Sequence, residues 1–121
     1  MPEDSLYRNT IDYQLSKIAE NDQDFKKQLV TIYSDYMRDI PAYFARLIEQ
    51  EGLTGIMELQ HKHKTTCHIL ALQSLSDTFA EAQSILSEEI ANREILLSDC
   101  TKKVTTICHD TLTQLQEITY P

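Results

Sequence analysis

The sequence predicts an all-helical fold, and three observations carry that expectation. Only two glycines and three prolines punctuate 121 residues. Neither residue type occurs between Gly55 and Pro121, a stretch too long to be built from strands and turns. The apolar residues recur about once per helical turn instead of alternating. An opening helix is expected to start near Asp4 or Ser5, either of which can cap it, and to carry Tyr7, Ile11, Leu15 and Ile18. It ends in the polar run Glu20-Asn21-Asp22-Gln23. The next apolar series is Phe25, Leu29, Ile32, Tyr33, Tyr36, Met37, Ile40, Phe44, Leu47 and Ile48. It keeps one phase through Pro41, which predicts a single helix bent at the proline and roughly 40 Å long.

Gly52 is placed to stop that helix and Thr54 to cap a third, which runs through Ile56, Leu59, His63, Cys67 and Leu70. Ser74 is expected to cap a fourth, carrying Leu75, Phe79, Ala82, Ile85 and Leu86. The polar run Ser87-Glu88-Glu89 then offers a corner that no glycine or proline marks. A last helix repeats at Leu96, Cys100, Val104, Ile107, Leu112, Leu115 and Ile118. Amphipathic helices joined by short connections imply an antiparallel up-and-down four-helix bundle with the short first helix as an N-terminal lid. Residues 1–121 form one domain in this reading.

Eleven Lys and Arg stand against nineteen Asp and Glu, a formal net charge of -8. That balance disfavours nucleic acid and anionic membrane as partners and suits a partner with a basic rim. No apolar run approaches the roughly 18 residues that span a bilayer, and the start MPEDSLYRNT lacks the features of a signal peptide, so a cytoplasmic location is expected. Cys67, Cys100 and Cys108 follow no paired spacing and read as reduced thiols, the latter two on or beside an apolar stripe. His63 and Cys67 are one turn apart and Cys108-His109 lies elsewhere, but two ligands do not make a zinc site, and no metal is expected. Tyr33 and Tyr36 read as packing residues.

The chemistry concentrates in Leu59-Gln60-His61-Lys62-His63-Lys64-Thr65-Thr66-Cys67-His68, which holds three of the four histidines. On a helix His61, Lys64 and Thr65 share a face. Side chains lean toward the helix N-terminus, so Lys64 can bring its ammonium back beside the imidazole of His61. A nucleophilic imidazole next to a cation is suited to carrying a phosphoryl group.

His61-Lys62-His63-Lys64-Thr65-Thr66, followed by Ile69-Leu70-Ala71-Leu72-Gln73-Ser74-Leu75, resembles the core motif of the histidine-containing phosphotransfer (HPt) domain family. The upstream stretch is similar too, with Ile11-Asp12-Tyr13 in the lid, Asp22-Gln23-Asp24-Phe25 opening the long helix, and a mid-helix Pro41. The resemblance implies that His61 accepts and donates a phosphoryl group, that Lys64 stabilises it, and that Gln83 orients the ring. It also implies that Thr65 and Thr66 meet the partner. Thr65 stands where the family commonly has glycine, and His63 where it commonly has an apolar residue. The implied protein is a monomeric carrier with little catalysis of its own and no cofactor. Its partners are response-regulator receiver domains, which hold the Mg2+, and upstream a hybrid histidine kinase. The alternative is a degenerate HPt-like adaptor that binds a receiver without phosphoryl chemistry.

Overall fold

The computed structural model describes residues 10–120. Among the described residues the chain forms five helices, α1 (Ile11–Ile18), α2 (Gln23–Glu49), α3 (Leu53–Ile69), α4 (Gln73–Ser87) and α5 (Arg93–Gln116), and no strand. The all-helical expectation holds, with the helices packed around one apolar core. Packing runs α2 against α5, α3 against α4 and α4 against α5, with α1 laid over α2 and α5. No helix among the described residues is long and apolar enough to cross a membrane.

α2 is a single helix through Pro41, as the unbroken apolar phase requires. Its buried face is Lys26, Tyr33, Ser34, Met37, Ile40, Phe44 and Leu47. Phe25 and Ile32, expected on that stripe, are instead exposed at its margin, and Ile18 of α1 is exposed as well. The stripes read for α3 and α4 are all buried, from Ile56 to Leu70 and from Leu75 to Leu86. On α5 the inward line is Leu97, Cys100, Val104, Cys108, Thr111 and Leu115, whereas the expected Leu96, Ile107, Leu112 and Ile118 are only half-buried beside it. Thr111 tolerates that position because its hydroxyl donates to the Ile107 carbonyl at 2.7 Å.

The helix starts need correction. α1 begins at Ile11, because Thr10 is extended and its side chain accepts from the Tyr13 N–H at 3.1 Å. Asp4, Ser5 and Tyr7 lie outside the described residues. Thr54 and Ser74 are inside helices, and the cap positions fall on Gly52 and Leu72, which offer no side-chain bond. The reason is in the preceding helix ends. After α1, α2 and α3 the chain reverses through a left-handed residue, Glu20, Glu51 and Ala71 respectively. At each end the following N–H returns to a carbonyl of the last turn, Asn21 to Ser16 at 3.1 Å, Gly52 to Leu47 at 2.8 Å and Leu72 to Cys67 at 2.8 Å. After α2 and α3 these tight closures let the next helix begin before a capping side chain is reached, whereas α2 itself starts on Asp22, whose carboxylate accepts from the Phe25 N–H at 3.1 Å.

Lys26, 4% exposed, is held by an ion pair with Asp12, which ties α1 to α2. The Tyr120 ring lies 5.7 Å from the same ammonium. Two stability tests follow from these contacts. Ala71→Gly is expected to stabilise the fold by about 1 kcal/mol, since glycine carries no Cβ penalty in the left-handed region. An unchanged or lower urea midpoint would show that Ala71 is not strained. Asp12→Ala is expected to cost about 2 kcal/mol by leaving a buried ammonium unpaired, whereas Lys26→Met should stay within about 1 kcal/mol of the parent. Equal losses in the two variants would assign the effect to packing alone.

Candidate functional site

α3 has 17 residues, and His61 stands at its middle. The buried stripe Ile56, Leu59, His63, Cys67 and Leu70 sets the rotation of this helix. At 100° per residue His61 then points about 200° away from His63 and reaches the surface, as do Lys64 and Thr65. Thr66 faces the other way and is 4% exposed, so of the two threonines only Thr65 has a surface to offer a partner.

The tight turn at Leu70-Ala71-Leu72 brings α4 back alongside α3. Between the two helices lies a depression of about 380 Å³ whose wall includes His61 and Lys64 from α3 and Gln83 from α4. The three residues singled out in the sequence therefore share one site. Gln83 is half-buried there, and among the described residues no hydrogen bond joins its amide to the imidazole. Met57, Phe79 and Ser76 complete much of the wall. Sequence reasoning passed over Met57, although it sits one turn before His61 on the same face. It is 49% exposed, an apolar contact beside the imidazole that the core does not use.

The middle of a helix is electrostatically plain, because the macrodipole acts mainly within the terminal turns. Charge placed on His61 must be met by side chains, and Lys64 is the cation in the same wall. Among the described residues no group of three or more His, Cys, Asp or Glu comes together as a metal cage.

His63 has a different environment. It is 3% exposed, its ring meets Tyr36 edge-on at 4.9 Å, and its Nδ1 is buried with no hydrogen-bond partner. Burial, and secondarily the charge of Lys62, push its pKa down to about 4. The thiols are pushed the other way, Cys67 and Cys100 up to about 11 and Cys108 up to about 12, in each case chiefly by burial. Cys67 and Cys108 lie close enough to raise the latter further.

No family model, curated protein or solved structure matches this chain.

The buried ring makes stability depend on pH. An unfolded chain protonates His63 near its ordinary value of 6.5, while the folded chain stays neutral until about pH 4. The unfolded state thus binds more protons in that window, and stability falls as the pH drops through it. The expected loss from this residue between pH 7 and pH 4 is on the order of 3 kcal/mol. His63→Leu should lack that component, and urea midpoints of both chains at pH 7, 5.5 and 4 check it. The same acid slope in the two chains would show that the ring titrates normally.

Proposed function

We propose that this protein is a histidine phosphotransfer carrier of a multistep phosphorelay, with His61 as phosphoryl acceptor and donor. In this reading α2 to α5 form an antiparallel up-and-down four-helix bundle and α1 is its lid. The observation that carries it is the shared wall: an exposed mid-helix imidazole, an ammonium one turn on and a side-chain amide from the next helix line one depression.

The transfer proceeds with a simple balance. The Nε2 lone pair of His61 attacks the phosphorus of a receiver's aspartyl phosphate. A P–N bond forms as the P–O bond to the aspartate breaks, and the carboxylate leaves with the electron pair. Lys64 meets the negative charge now placed on His61. Once its side chain turns toward the ring, the amide oxygen of Gln83 accepts from Nδ1–H and fixes the tautomer that leaves Nε2 free. The reverse step delivers the group to a second receiver. The receivers supply Mg2+ and the acidic pocket that activate the phosphoryl group, so the carrier needs only access, one cation and an oriented ring. Met57 and Thr65 give the receiver an apolar and a branched contact on either side of the imidazole.

Incubation with phosphorylated receiver domains tests this. The wild-type chain is expected to acquire an acid-labile, alkali-stable phosphoryl group, and His61→Gln none, with its helical circular dichroism intact. Lys64→Ala should slow transfer at least tenfold while leaving receiver binding nearly unchanged. Phosphorylation that persists in His61→Gln would sink the site assignment. Receiver binding without any phosphoryl uptake by the wild type would leave the protein as an adaptor.

A further inference from the structure

A second cleft, of about 460 Å³, lies on the opposite flank of α3, where that helix faces α2. Ile40 and Leu59 give it an apolar floor, and Tyr36 and Tyr43 stand in its walls. His63 is part of the lining and is 3% exposed, with its Nδ1 buried and unpartnered. An unsatisfied buried polar atom is costly, and such atoms are uncommon in native structures. The other ring nitrogen is neither hydrogen-bonded nor among the fully buried atoms, so the imidazole meets the cleft.

The rim is cationic in a chain of net charge -8. The Arg46 guanidinium sits 5.0 Å over the Tyr43 ring and the Lys62 ammonium 5.8 Å over the Tyr36 ring. Among the described residues neither has a carboxylate within ion-pair distance. Arg38, also in the wall, is paired with Asp35 at 3.1 Å, and Asp39 is the one carboxylate lining the cleft. Cations poised on aromatic faces keep their capacity for an anion, because the ring leaves the N–H donors unspent.

We propose that this cleft binds a small aromatic anion, an aryl phosphate or aryl carboxylate. The ring of the ligand enters between Tyr36 and Tyr43 onto the apolar floor, its anionic group lies between Arg46 and Lys62, and His63 closes the inner end. A polar atom of the ligand there bonds the cleft-facing ring nitrogen, which no protein group engages, while Nδ1 stays buried behind it. The combination of an apolar floor with a few convergent polar groups is the usual construction of a small-molecule site. The site stands apart from His61 on the other flank of α3, so it does not rest on the phosphotransfer reading.

The test is a heteronuclear NMR titration of the full chain with phenyl phosphate and, separately, benzoate, with inorganic phosphate as the control. Saturable shifts of the His63 and Tyr36 ring signals are expected with at least one aromatic anion, and which of the two binds tells phosphate from carboxylate recognition. Arg46→Gln and Lys62→Gln alter exposed side chains, leave the fold intact and should each weaken binding about tenfold. Inorganic phosphate should bind at least tenfold more weakly than the preferred aromatic anion. The proposal is overturned if neither aromatic anion shifts His63, if both variants bind as the parent does, or if inorganic phosphate binds as tightly.

Discussion

The rotation of α3 about its own axis is the constraint on which the rest depends. Five inward residues, Ile56, Leu59, His63, Cys67 and Leu70, are each at most 7% exposed and leave the helix no freedom to turn. Rotating α3 by a single residue would carry all five off the core and bring polar side chains in. One hydrophobic stripe thereby decides two chemical facts. It puts His61 and Lys64 in front of α4, and it drives His63 into the seam with α2. Two histidines separated by one residue end in opposite solvents, one wet and one nearly dry.

The backbone at the helix ends supports that phase. Each of the first three helices closes through a residue of left-handed conformation that is not glycine. The closing hydrogen bonds repay part of the strain, and the short connections fix how α3 and α4 start relative to each other. The Lys26–Asp12 pair adds a polar pin under α1, an eight-residue helix whose buried residues are Ile11 and Leu15.

The helical stripes of α3 and α4 were legible because burial and periodicity coincide at every position in them. α2 was legible in extent but not in detail. Lys26 takes an inward place that an apolar pattern assigns to its neighbour Phe25, an exchange that the ion pair with Asp12 and the Tyr120 ring over the ammonium support. Helix starts were misread at Thr54 and Ser74, since capping rules look for a hydroxyl or carboxylate and the backbone of the preceding turn supplies the stop instead. At the site, His61 and Lys64 follow from helical spacing alone, and Met57 could have been found by the same count. Gln83 could not, because a single glutamine on a separate helix carries no periodic signal and entered only through the family resemblance. The cleft at His63 was hidden for a further reason: it exists only where α2 and α3 stand beside each other, and Arg46 and Lys62 are far apart in the chain.

Cys67, Cys100 and Cys108 face the same interior from α3 and α5, and burial holds all three in the protonated form. A thiol reacts through its thiolate, so these sulfurs are silent toward alkylating reagents while the helices stay closed. They become reactive only in the moments when α3 or α5 lifts away. The rate at which an added electrophile consumes them is therefore a clock for opening of the bundle. The three sulfurs would report from two helices at once, without any label being introduced.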